Sequence, residues 1–219
     1  MDPIIREPQT KAQACLIWMH GLGADANDMS GVAAQMNWST TSVRHVFMNA
    51  PIRPVTINNG MCMPAWYDIT GTTLTAREDE AGIRASAADI SETIRQQYER
   101  GIPQTNIYLC GFSQGGAMAL YTGLQETETL GGIIALSAYL PLAHSIIPQQ
   151  SRKTPIFIGA GRFDPIVLPQ WTDASEQWLR SSGYQQLTSH RYAMEHNICM
   201  EEISDLQNWL EPLLARSTQ

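Results

Sequence analysis

The chain of 219 residues is poor in charge, and the charge it has is not gathered anywhere. Lys and Arg number 14 against 21 Asp and Glu, for a formal net charge of -7. Nucleic-acid binders carry a basic patch or stripe; no Lys/Arg cluster occurs here, so that class is excluded. The acidic balance also disfavours lasting contact with anionic lipid. No apolar run is long enough to cross a bilayer: the longest, 131–143, is interrupted by Pro141 and falls short of the roughly 20 residues a spanning helix needs. The opening MDPIIREPQT lacks a basic segment followed by an apolar one and does not read as a signal peptide. The four cysteines, Cys15, Cys62, Cys110 and Cys199, are scattered without a C-x-x-C pair. Reduced thiols in a cytoplasmic protein are therefore expected rather than disulfides or a metal site. Repeats, low-complexity tracts and linkers are missing too, so one domain over 1–219 is expected.

What is present is an ordinary globular composition, 43% hydrophobic and 16% charged. Short apolar runs at 14–19 (ACLIWM), 43–48 (VRHVFM), 107–110 (IYLC), 132–137 (GIIALS) and 155–159 (PIFIG) read as buried strands, and 186–193 as a sixth, more polar one. Amphipathic or apolar helix patterns lie between and after them at 28–36, 80–100, 114–124, 172–182 and 200–215. Such alternation predicts an α/β architecture, a mostly parallel central sheet with helices on both faces. In such sheets ligands bind beyond the carboxyl ends of the strands. The stretch 50–77 has no period and holds Pro51, Pro54, Gly60, Pro64 and Gly71; an aperiodic segment of that length inside a domain is usually functional.

Gly111-Phe112-Ser113-Gln114-Gly115 fits G-x-S-x-G, between a predicted strand and a helix rich in Ala, Met and Leu. That strand–turn–helix context is what a nucleophile elbow requires. The turn lifts a serine hydroxyl above the sheet at a helix N-terminus, where amides can stabilise an oxyanion. Ser113 is the candidate nucleophile.

In folds with this elbow the acid and then the base follow the serine in chain order. His144 comes directly after the next strand, too early for an acid from a later strand to intervene. His190 lies within a predicted strand. His196 stands after the last strand and before the last helix, at a carboxyl-end loop, and is the candidate base. Asp164, in Gly161-Arg162-Phe163-Asp164-Pro165 after the 155–159 strand, is the candidate acid. Asp173, the other aspartate in the interval, starts a helix, where a carboxylate favours the macrodipole. The glycine-rich loop His20-Gly21-Leu22-Gly23 follows the first strong strand. In this architecture it supplies one oxyanion amide and the residue after the nucleophile supplies the other, which nominates Leu22 and Gln114. Nothing near His20 completes a metal-ligand set, and it is expected to hold the loop.

The segments HGLGAD (20–25), NAPIRPVTINNGMCMPAWYDI (49–69), EDEAGI (78–83), GFSQGGAMAL (111–120), FDPIV (163–167) and H-x-x-x-x-EEI (196–203) run nearly end to end. On them the chain resembles the phospholipase/carboxylesterase family of small α/β-hydrolases, which includes bacterial carboxylesterases and acyl-protein thioesterases. The resemblance implies an α/β-hydrolase fold with no large lid and Ser113, Asp164 and His196 as a triad. It implies Leu22 and Gln114 as oxyanion donors, and hydrolysis of a small ester or acylated substrate, carboxylic or thioester, without cofactor or metal. Carboxylesterase, acyl-protein thioesterase and lysophospholipase activities all fit it; a binding protein that keeps the fold without catalysis is the remote alternative, and a homodimer stays open. The chain departs from the family pattern at Ala26, Ala160, Glu195, Asn197 and Met200. Met61, Met63, Trp66 and Tyr67 offer apolar surface, either to bind the acyl group, with Met63 and Trp66 foremost, or to pack the loop. Glu195, beside His196, either raises the pKa of the imidazole or faces solvent.

Overall fold

The computed structural model describes residues 2–36, 42–75, 77–147 and 152–216. Nine strands and five α-helices occur among them. The strands are β1 (Ile4–Arg6), β2 (Ala14–Met19), β3 (Val43–Met48), β4 (Ile52–Val55), β5 (Met61–Pro64), β6 (Ile107–Phe112), β7 (Gly132–Leu136), β8 (Ile156–Gly161) and β9 (Leu187–Tyr192). The helices are α1 (Ala26–Ala33), α2 (Glu80–Glu99), α3 (Gln114–Gly123), α4 (Pro169–Ser181) and α5 (Met200–Arg216). Seven strands form one sheet in the order β1-β3-β2-β6-β7-β8-β9. Only β1 runs antiparallel to its neighbour.

Alternation along each central strand separates two apolar layers, because successive side chains of a strand point to opposite faces. Cys15, Ile17 and Met19 of β2, Ile107 and Leu109 of β6 and Ile133 and Ala135 of β7 face one side, where α2, α3 and α4 pack through Ile83, Ile90, Met118, Leu120 and Leu179. Ala14, Leu16 and Trp18, with Tyr108, Cys110, Ile134 and Leu136, face the other, against Met29 and Ala33 of α1 and Ile203, Leu206 and Leu210 of α5. Every residue of α3 is buried, which is why its sequence lacks a polar stripe.

The structure departs from the predicted elements in four places. The short edge strand β1 carries too few residues to show a period. Within the aperiodic 50–77 stretch, of which residue 76 lies outside the described residues, β4 and β5 form a hairpin. Asn59 and Gly60 both take positive φ (55° and 75°) at its turn; an Asn-Gly pair is a local hairpin signal, and Pro54 and Pro64 are tolerated because this small sheet has only edge strands. Two helices start earlier than predicted, α1 because Asp25 accepts from the Asn27 backbone N–H in a capping box with Asp28, and α4 because Pro169 occupies its first turn.

Glu202, in the first turn of α5, is fully buried. A Cβ on Gly159 of β8 would collide with its Oε1, so the glycine makes room for the carboxyl. Burial pushes Glu202 up from 4.5 to about 8, with the Cys199 backbone N–H pulling the other way. Between those values the unfolded chain ionises while the folded chain keeps its proton. Stability is therefore lost as pH rises through that window, by at most about 1.4 kcal/mol per pH unit, and levels off above it. Glu202→Gln removes this contribution. Denaturant unfolding at pH 5 and pH 8 is expected to show a smaller loss of stability in the variant than in the parent; equal losses would contradict the assignment.

Candidate active site

Ser113 sits between β6 and α3 with φ 55° and ψ -119°, a conformation that costs a non-glycine residue about 1–3 kcal/mol. Its neighbours explain how it is held. A Cβ on Gly111 would strike the Gly115 backbone, one on Gly115 would strike the Met19 carbonyl, and one on Gly116 would lie 2.7 Å from the Ala138 Cβ. The Ser113 N–H donates to the Leu136 carbonyl (2.8 Å) and the Ser113 carbonyl accepts from the Ala117 N–H (3.0 Å). The elbow is thus pinned to β7 on one side and to its own helix on the other.

The loops after β8 and β9 meet over the same edge. Their backbones are joined by Arg162 N–H to the Tyr192 carbonyl (2.8 Å) and Phe163 N–H to the Met194 carbonyl (3.1 Å). A Cβ on Gly161 would collide with the Met194 and Glu195 carbonyls, so the two loops lie in direct contact. This brings Asp164 and His196 together across 32 residues of sequence: His196 Nδ1–H donates to Asp164 Oδ2 at 2.7 Å. The Ser113 hydroxyl donates to His196 Nε2 at 2.8 Å. Asp164 Oδ1 accepts from the backbone N–H groups of Ile166 (2.8 Å) and Val167 (2.9 Å). The carboxylate is buried and fixed on both oxygens. A hydroxyl bonded to an imidazole that is bonded to a buried carboxylate can pass a proton from oxygen to ring and hold the ring in one tautomer.

The other candidates are not brought there. Asp173 pairs with Arg191 at 2.7 Å. His190 stacks on Phe157, with its Nδ1 3.5 Å from Asp205. His144 is exposed in the turns after β7. Glu195 is exposed, and its side chain makes no hydrogen bond or ion pair among the described residues. The solvent-facing alternative is the one its geometry favours.

Leu22 and Gln114 both line the cavity at Ser113. Gln114 is the first residue of α3, where helical amides have no partner within the helix. The loop carrying Leu22 is held by buried groups. His20, held neutral by burial, which lowers its pKa, donates from Nδ1 to the Gly21 carbonyl (2.7 Å) and accepts at Nε2 from the Ala50 N–H (3.1 Å). The Trp66 indole N–H donates to the His20 carbonyl at 2.9 Å. The Gln114 side chain accepts from the Trp66 N–H (2.8 Å) and donates to the Tyr67 carbonyl (2.7 Å).

Of the two alternatives for Met63 and Trp66, acyl surface or packing of the loop, the geometry favours packing. Neither lines the cavity. Trp66 is 1% exposed and its indole N–H is spent on the loop that carries Leu22, while Met63 lies in the hairpin, its sulfur accepting from Asn58 Nδ2 at 3.2 Å. Met61 is exposed on the same hairpin. The apolar wall comes instead from Tyr67, Ile69, Leu74, Tyr139 and Val167, around a cavity of about 550 Å³. Leu74 and Ile69 sit on the aperiodic stretch, and Tyr139 and Val167 just past strand ends, the signal that could have found them.

A doubly covered parallel sheet with a strained serine elbow, facing an imidazole and a carboxylate from later strands, defines a serine hydrolase of the α/β-hydrolase fold. The profile of the Phospholipase/Carboxylesterase family matches residues 1–214. Acyl-protein thioesterase 1 of Emericella nidulans is 36% identical over 97% of this chain and 95% of its own length. That of Neurospora crassa is 34% identical over 98% and 92%. Among solved structures, Arabidopsis thaliana SOBER1 superposes with a TM-score of 0.85 at 28% identity, covering 92% of this chain and 99% of its own. Zea mays acyl-protein thioesterase 2 gives 0.83 at 25%, covering 97% and 98%. The chain belongs to the phospholipase/carboxylesterase family of serine hydrolases, with carboxylesterase/thioesterase activity.

Trp66→Phe keeps the ring packing and removes the bond to the His20 carbonyl. Loss of one such bond is worth roughly five- to tenfold in an equilibrium or rate. Turnover of a short ester is expected to fall by about that factor with KM little changed. A rise in KM at constant kcat would return Trp66 to the substrate-binding surface.

Proposed function

We propose that Ser113, His196 and Asp164 act as nucleophile, base and acid in hydrolysis of carboxylic esters and thioesters, with the amides of Leu22 and Gln114 as the oxyanion hole. The observation that carries this reading is the unbroken chain of short hydrogen bonds from Ser113 through His196 to Asp164. His196 Nε2 takes the Ser113 proton as Oγ attacks the acyl carbonyl, and Asp164 stabilises the imidazolium that forms. The two amides donate hydrogen bonds to the carbonyl oxygen as it becomes negative. The C–O or C–S bond breaks, the leaving group receives the proton from His196, and an acyl-Ser113 remains. Water, deprotonated by His196, attacks the acyl-enzyme; the acid leaves and Ser113 regains its proton.

The wall made by Tyr67, Ile69, Leu74, Tyr139 and Val167 takes the acyl chain in this reading. Its apolar character supports fatty acyl groups. The names of the fungal relatives support thioesters among the substrates. None of the helices among the described residues is long and apolar enough to cross a membrane. The free thiols, two of them buried, support a reducing compartment, the cytoplasm.

Ser113→Ala is expected to abolish labelling by a fluorophosphonate probe and to cost on the order of 10⁶ in kcat. Asp164→Asn is expected to cost on the order of 10⁴, because the amide opposes the wrong tautomer, whereas Asp173→Asn changes little. An alanine variant that keeps a tenth of the activity, or the reverse ranking of the two aspartates, would overturn the assignment. Hydrolysis of p-nitrophenyl esters of increasing acyl length reads the acyl side of the cavity directly.

A further inference from the structure

The cavity at Ser113 straddles the carboxyl edge of the sheet. Tyr67, Ile69, Leu74, Tyr139 and Val167 belong to the layer shared with α2, α3 and α4. Met29, Val32, Phe112, Ile198 and Ile203 line the same cavity but belong to the opposite layer, shared with α1 and α5. Ser113 and His196 lie between the two sets. The cavity therefore has two apolar arms on opposite faces of the sheet, and the acyl chain occupies one of them.

We propose that the α1/α5 arm binds the leaving group, and that it fits an uncharged, apolar alcohol or thiol. This rests on the triad reading above. The direction follows from proton delivery: His196 must reach the departing oxygen or sulfur. Its ring packs on Phe112 with centroids 4.9 Å apart, and Asn197 and Ile198 continue along the same wall. The leaving atom emerges on the face where Phe112, half-buried, packs against the α1/α5 layer, into the space between α1 and the start of α5. The inner part of that arm is Met29, Val32, Phe112, Ile198 and Ile203, all apolar. Asp28 and Gln35 also line it and are exposed; they form a polar mouth, and the Asp28 carboxylate repels an anionic leaving group. The alcohol side of this site is therefore a second recognition surface and not an open exit to water.

The test holds the acyl group constant and varies the alcohol. Butyrate esters of methanol, ethanol, butanol and hexanol are assayed with the full chain. Each buried methylene contributes up to about fourfold, so kcat/KM is expected to rise on the order of tenfold from ethyl to butyl butyrate. Val32→Asp is expected to reduce the butyl-to-ethyl ratio toward one, and Ile198→Ser to reduce it independently should the first variant fold poorly. Leu74→Ser, on the opposite arm, is expected to change the ratio between butyrate and acetate esters and to leave the alcohol ratio as in the parent. A flat alcohol series in the parent, with the esters still cleaved and Ser113→Ala inactive, would overturn the leaving-group arm and leave the triad standing. Retention of the full alcohol ratio in both Val32→Asp and Ile198→Ser would also overturn it. Turnover that survives Ser113→Ala would instead overturn the triad.

Discussion

The rest of the site depends on one close approach, that of the Gly115 backbone to the carbonyls of Met19 and His20. No side chain fits between the start of α3 and the end of β2, so the helix begins directly on the strand ends. That contact forces the reversal at Ser113 into a positive φ and leaves its hydroxyl above the sheet. Burial of the whole of α3 offsets the strain. The same two carbonyls begin the loop that carries Leu22. One packing constraint thus sets both Ser113 and the loop that faces it.

A second set of contacts keeps the parts in register. Trp66 bonds to the His20 carbonyl through its indole, to the Gln114 side chain through its backbone N–H, and to Ser86 of α2 through its backbone carbonyl. Gln114 also holds the Tyr67 carbonyl. The loop that carries Leu22, the first residue of α3 and the Tyr67 wall of the cavity therefore share one buried support. Small displacements of any of the three propagate to the others, since buried polar groups are costly to leave unpaired.

The sheet divides the molecule into two apolar layers, and the site lies where both end. Chemistry at the edge of a doubly covered sheet has access to two walls of different composition, one from α2, α3 and α4 and one from α1 and α5. On one side the wall is made by the segment after the β4–β5 hairpin, by Tyr139 and by Val167. On the other it is made by α1, Phe112 and the start of α5, where buried Glu202 packs against Gly159 of β8. Residues that read along the chain as core, such as Met29 and Ile203, are at the same time cavity lining.

Much of this was legible in the sequence, for a local reason. Five of the longer sheet strands show as apolar runs because both faces of the sheet are buried there, while β9, half-buried at the edge, reads as more polar, and G-x-S-x-G between a strand and an apolar helix marks a turn where only glycine fits. Chain order then pointed to Asp164 and His196, which the structure brings into hydrogen-bond contact. The hairpin was legible too, in Asn59-Gly60, though the aperiodic stretch around it hid the signal. Trp66 was not. Its composition suits an acyl pocket as well as a core, and only the contact with His20, 46 residues away in sequence, shows what its indole does. The solvent-facing side chain of Glu195, the two arms of the cavity and the burial of Glu202 are likewise products of packing between distant segments. Periodicity and turn chemistry act over a few residues, so the sequence by itself determined which elements form and which residues stand at their ends. Which side chains then meet depends on how the β8 and β9 loops, α1 and the 66–75 segment close over the sheet edge, and that was decided only by the tertiary structure.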